Sequence, residues 1–137
     1  MSDCIICKLI SGELPAYKVY EDEFCLAFLE INPSATGHTL VSPKKHIATF
    51  FDLTDNEIAE LFSRVKKIAH HIKNSDLKPD GLNIGMNQWP AAGQGINHLH
   101  VHIIPRWEND GDGCIQTVVS NKSVEKLEDV LNKIKMQ

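Results

Sequence analysis

The chain has 137 residues, 42% of them hydrophobic and 23% charged, with a net charge of -4. That balance fits one globular domain over residues 1–137 with a single core. It excludes a grip on polymeric DNA or RNA, for which a Lys/Arg block is missing, and a membrane span, since no apolar run nears the roughly 18 residues required. Met1-Ser2-Asp3-Cys4 lacks the basic start and apolar stretch of a signal peptide. A cytoplasmic, reducing setting is therefore expected, in which Cys4, Cys7, Cys25 and Cys114 bind metal or are simply buried rather than paired.

In chain order, Ser2 to Ile10 reads as a short helix, capped by Ser2 or Asp3 and ended by Gly12. Tyr17 to Glu21 and Phe24 to Leu29 are β-prone runs, joined by a charged turn at Glu21-Asp22-Glu23. The loop Asn32 to Gly37 leads into a strand at His38 to Ser42. Thr54 and Glu57 form a capping box. Behind it Ile58, Leu61, Phe62, Val65, Ile68, Ala69 and Ile72 keep the spacing of one buried helical face. After the turn Pro79-Asp80-Gly81, Leu82 to Met86 and His98 to Ile104 read as strands, separated by a Gly/Pro-rich loop, Asn87 to Asn97. Val124, Leu127, Leu131 and Ile134 mark an amphipathic C-terminal helix at about 121–135. Hairpin-linked strands with one long helix between them predict an α+β fold, its antiparallel sheet of about five strands covered on one face.

Alternation along the strand 98–104 puts His98, His100 and His102 on one face and Leu99, Val101 and Ile103 on the other. The apolar set suits a core. Three aligned imidazoles allow three readings: a His-rich polar face, a tris-His metal centre, or covalent catalysis by a neutral imidazole. The loop Gly93-Gln94-Gly95-Ile96-Asn97 lacks the third glycine of a dinucleotide fingerprint and enters a strand instead of a helix. It is either a tight turn or a segment whose glycines let backbone approach a phosphate.

His98-Leu99-His100-Val101-His102-Ile103-Ile104 resembles the motif of the histidine triad (HIT) family. The likeness continues in order through Cys4-Ile5-Ile6-Cys7-Lys8, Ile10 to Ala16, Gly37 to Val41, Pro43 to His46, Asp80 to Gly85 and Ala91-Ala92-Gly93-Gln94. The nearest branch is similar to the bacterial HIT and Hint-like nucleotide hydrolases. This resemblance implies a HIT-like fold and a homodimer whose two sheets join. It also implies hydrolysis at the α-phosphate of a purine nucleotide, adenosine foremost, with His100 as nucleophile through a nucleotidyl-histidine.

On the same resemblance His102 and His38 assist His100, and Glu30, Asn32, Asn87, Gln94 and Gly95 join His100 and His102 around the nucleotide. Such chemistry needs one bare ring nitrogen on His100 and donors for the phosphate oxygens. Histidine in the third triad position, where the transferase branch has glutamine, argues for hydrolysis. A phosphoramidate is the leading substrate class. A dinucleoside polyphosphate hydrolase, or a nucleotide-binding scaffold with weak catalysis, stays open. Three positions depart from the family pattern: Gly95 for a hydroxyl residue, Glu30 for aspartate, and Trp89 for a small residue.

Cys4 and Cys7 form a CxxC pair without the preceding strand of a thioredoxin-like motif. With His46 and His98 they make a Cys2His2 set fit for structural zinc, the set that coordinates metal in zinc-bearing members of the family. The alternative is two buried cysteines and two unrelated histidines. Cys25 and Cys114 are expected to act as small apolar side chains. His70 and His71 are expected at the surface. Arg106 is free to meet a phosphate or an acidic neighbour.

Overall fold

The computed structural model describes residues 3–137. Helix α1 (Ile5–Ser11) opens the described chain, followed by strands β1 (Lys18–Glu21), β2 (Cys25–Leu29) and β3 (Thr39–Pro43). The long helix α2 (Asp55–Lys73), strands β4 (Gly81–Gly85) and β5 (Val101–Arg106), and helix α3 (Leu127–Ile134) complete it. The five strands form one antiparallel sheet in the order β1-β2-β3-β5-β4. The α+β expectation and its strand number hold.

Local chemistry explains the element ends. The N-cap of α1 is Cys4, whose Sγ accepts from the Cys7 N–H, rather than Asp3; the candidate cap Ser2 lies outside the described residues. Gly12, in the left-handed region, ends the helix as expected. The Thr54–Glu57 capping box starts α2 with both reciprocal bonds in place. Gly37 has φ +83, and a Cβ there would lie 2.6 Å from Leu77 Cδ1. Only glycine makes that turn into β3 without displacing its neighbours.

One face of the sheet packs on α2. Leu61, Val65, Ile68 and Ile72 meet Ala27, Val41, Val101 and Ile103 in the main core. Phe62, expected on that face, is 39% exposed, and Ile58 only partly buried. The other face is shared. Ile6 and Leu9 of α1 cover Leu26, Phe28 and Leu40, while the histidines occupy the β3–β5 side.

Most strand bounds move by one residue, and α1 starts at Ile5; two further boundaries shift by several residues. The strand predicted at His98 begins only at Val101. The Leu99 N–H donates to the Ile47 carbonyl, and the Leu99 carbonyl accepts from the Ser42 hydroxyl, so residues 98–100 are held by single bonds outside the ladder. The C-terminal helix is shorter than 121–135, and Val124, Leu127, Leu131 and Ile134 stand exposed. Its apolar stripe exists, but the other described residues do not cover it. Among the described residues no helix is long and apolar enough to cross a membrane.

Candidate active site and metal centre

The three triad rings do not converge. The His98 ring is fully buried and turns toward the N-terminal helix, with its Nδ1 3.3 Å from Cys4 Sγ and 3.5 Å from Cys7 Sγ. Cys7 Sγ lies 3.2 Å from His46 Nδ1. The ligating atoms of Cys4, Cys7, His46 and His98 all fall within 4.8 Å of one another. Tetrahedral zinc, with bonds of about 2.3 Å to sulfur and 2.0–2.1 Å to nitrogen, sets neighbouring donors about 3.5 Å apart. The set therefore fits such an ion. The far nitrogen of His98 supplies an independent sign: Nε2 donates to the Pro43 carbonyl at 2.9 Å, leaving Nδ1 with a lone pair facing the sulfurs. A cleft of about 430 Å3 lined by Asp3, His46 and Asn97 reaches this cluster from solvent.

His100 points elsewhere. Its Nδ1 donates to the His98 carbonyl at 2.7 Å, which leaves Nε2 unprotonated in the neutral ring. Its ring stands edge-on to that of His102, centroids 5.1 Å apart. Of the three, only His102 lies in β5.

The protons around His102 follow from a chain of bonds. The Ser34 N–H donates to His38 Nδ1 at 3.1 Å. His38 Nδ1 is thus the acceptor, and its Nε2–H donates to His102 Nδ1 at 2.9 Å. His102 must then carry its proton on Nε2. That atom is buried and has no partner among the described residues, a costly state for a donor unless a ligand supplies the acceptor. Burial pushes both rings down, His102 to about 4, with the nearby imidazoles lowering His102 further and Glu30 opposing. Both rings are therefore neutral near pH 7, as the bond chain requires.

Two cavities lie on this side of the fold, and the pair lines the second of them. Leu40, opposite His102 in the β3–β5 ladder, lines an apolar pocket of about 220 Å3 with Ile6, Leu9, Phe28, Ile31 and Glu30. His38 and His102 line a larger, open one of about 700 Å3 with Ser34, Asn83 and Asn87, walled by the C-terminal segment Gly113–Val119.

The remaining candidate residues have plain positions. The Glu30 carboxylate accepts from the Asn32 N–H at 3.1 Å, and Asn32 itself is exposed. Gln94 spends its amide on the loop: Oε1 accepts from the Trp89 N–H, and Nε2 donates to the Ala48 and Ile96 carbonyls. Gly95 lines the cleft beside the cysteines, away from the histidine cavity. Arg106 pairs with Asp110 and also holds Asn83. His70 and His71 are exposed. Cys25 is buried as expected, but Cys114 is exposed. Sequence reasoning does not find Ser34 or the segment Gly113–Val119. A backbone N–H donor leaves no mark in sequence, and the segment carries no motif.

This sheet, with its relay of imidazoles beside a Cys2His2 cluster, defines a histidine-triad domain. The family model described as HIT domain matches residues 11–109, and the chain belongs to that family. The crystal structure of a HIT family member from Bacillus subtilis is similar, with a TM-score of 0.82 at 43% identity, covering 96% of this chain and 92% of that one. Adenosine 5'-monophosphoramidase hnt1 of Schizosaccharomyces pombe is 35% identical over 136 residues, covering 96% of this chain and 98% of that protein. A zinc-bound histidine triad family protein from Mycobacterium smegmatis has a TM-score of 0.76 at 34% identity, covering 93% and 87% of the two chains.

Proposed function

We propose that the protein hydrolyses phosphoramidates and phosphate esters of purine nucleotides, adenosine most of all, by forming a nucleotidyl-histidine on His100. The observation that carries this reading is the bond from His100 Nδ1 to the His98 carbonyl, which leaves Nε2 as a bare nucleophile. The apolar pocket under Leu40 suits the nucleoside, and Glu30 in its lining would take the ribose hydroxyls. The α-phosphate then lies at the histidines, and its leaving group faces the open cavity.

In the first step the His100 Nε2 lone pair attacks the α-phosphorus. A nitrogen–phosphorus bond forms to the ring, and the bond to the leaving amine breaks. The amine departs with that electron pair and a proton from solvent. The His102 Nε2–H donates to a phosphate oxygen as charge builds. In the second step water attacks the same phosphorus, releasing the nucleoside monophosphate and His100.

Cys4, Cys7, His46 and His98 would hold zinc, which supplies a closed tetrahedral tie between α1 and residues 98–100. The resemblance to a zinc-bound relative supports this assignment. Homodimerisation through joined sheets, with a cytoplasmic location and no polymeric nucleic acid or membrane partner, completes the reading. β4, at the sheet edge, is available for such joining.

Single-turnover labelling with adenosine monophosphoramidate tests the reaction. An acid-labile adduct that vanishes in His100→Asn is expected. Nucleotide binding without adduct or turnover in the wild type would replace the enzyme with a nucleotide-binding scaffold.

A further inference from the structure

We propose that metal occupancy of the cysteine–histidine cluster sets the orientation of the His100 ring, with His98 as the positioning residue that joins the two. The proposal rests on the reading of His100 as nucleophile.

The same residue serves both centres. The His98 side chain supplies Nδ1 to the cluster, at 3.3 and 3.5 Å from the two sulfurs. Its main-chain carbonyl accepts the His100 Nδ1–H at 2.7 Å. That bond decides which nitrogen of His100 is bare. Rotating the 98–99 peptide away would release Nδ1–H and let the proton move to Nε2, which abolishes the nucleophile.

No ladder bond fixes that peptide, although β3 holds its flanks through the Pro43 carbonyl and the Ser42 hydroxyl. The strand begins at Val101, so the His98 carbonyl lies outside the ladder. Its direction depends on what holds residue 98. The Pro43 carbonyl holds Nε2, and the Leu99 N–H bonds the Ile47 carbonyl at 2.7 Å. Ile47 follows His46, another member of the cluster. An ion bound by His46 and His98 would clamp both sides of that bond. Without it, the contacts of Cys4 and Cys7 with His98 are what join the segment to α1 among the described residues; disturbing groups bonded to a metal's ligands commonly costs about tenfold to a hundredfold in metal affinity or activity. The cleft of about 430 Å3 beside Cys4 and His46 gives an ion a path in and out. Partial exposure of Cys4, Cys7 and His46, against complete burial of His98, fits a site that loads from that side.

The test uses protein with 15N-labelled histidine, stripped by chelator and titrated with zinc. Long-range proton–nitrogen spectra read which ring nitrogen of His100 carries hydrogen. The loaded protein should hold the Nδ1–H form alone. The stripped protein should show both tautomers and form the nucleotide adduct about tenfold more slowly. An unchanged tautomer in folded, stripped protein overturns the proposal, even if nucleotide affinity falls through loosening of α1.

If stripping unfolds the chain by circular dichroism, the Cys4→Ser/Cys7→Ser variant provides the metal-free state. It leaves His98 and its Pro43 bond in place, and the same two outcomes decide. Should no adduct form in any state while the tautomer still follows zinc, the coupling stands and the hydrolase reading falls.

Discussion

His38 Nε2 and His102 Nδ1 meet at 2.9 Å, and the direction of that bond is set from outside by the Ser34 N–H on His38 Nδ1. A main-chain donor on one loop thereby places a proton on the far nitrogen of a residue in β5. His102→Ala removes the donor that the proposed reaction assigns to the phosphate and should lower kcat by about 10²–10³. His38→Ala leaves that donor but frees its tautomer, so the loss should be smaller. Steady-state kinetics on both variants checks the order. Equal losses would mean that His38 itself touches the substrate.

The depressed His102 ring makes stability depend on pH. In the unfolded chain the imidazole takes up a proton near its ordinary 6.5, whereas burial holds off protonation in the fold until about 4. Between those values the unfolded state binds more protons, so this ring's contribution to stability falls as pH drops through that window and is constant below it. His38 shifts the same way, again through burial. Urea midpoints measured from pH 7 to pH 4 should fall, and fall less steeply in His102→Gln. A profile identical in the two proteins would refute the assignment.

Arg64 ties α2 to the β1–β2 turn. Its Nε donates to Asp22 at 2.5 Å, and its other nitrogens reach Glu23 and Glu60, while the guanidinium lies over Phe24. Asp22 also accepts from the Phe24 and Cys25 N–H groups. Burial raises this carboxyl, but those backbone donors with Arg64 and Tyr20 outweigh it and hold it well below the usual range. Arg64→Ala should cost about 1–3 kcal/mol in chemical unfolding. The stability Asp22 contributes is present above pH 3.8 and is lost as pH falls toward its lower folded value.

What the sequence made legible follows from how far each signal reaches. The Thr54 capping box is a four-residue pattern whose bonds are all local, so the residues alone foretell it. The turn at Asp22 is legible through its local bonds to the Phe24 and Cys25 N–H groups, whereas its tie to Arg64, 42 residues on, is not. Gathering Cys4, Cys7, His46 and His98 came from family resemblance, since CxxC spacing alone cannot say which distant histidines complete it. The period-two pattern did place Leu99, Val101 and Ile103 together in the core. It overreached by starting the strand at His98, because the pattern persists where the ladder has ended and the Ser42 hydroxyl has taken over. Phe62 fits the helical spacing yet is exposed, for spacing marks a face without stating how wide the sheet beneath it is.

Trp89 offers a test in which two effects oppose. Its φ of 68 is in the left-handed region, a strained state for a bulky residue. Gln94 enforces it, accepting the Trp89 N–H through Oε1 while its own backbone N–H bonds the Trp89 carbonyl. The indole stacks on Phe51, centroids 5.0 Å apart. Trp89→Ala keeps the strain and loses the stack, which should destabilise by about 0.5–1.5 kcal/mol. Trp89→Gly loses the same stack but relieves about 1–3 kcal/mol of strain. Trp89→Gly should therefore unfold at a higher temperature than Trp89→Ala, and Trp89→Ala below the wild type. Both variants melting together below the wild type would show that the stack outweighs the strain and that Gln94 holds a relaxed turn.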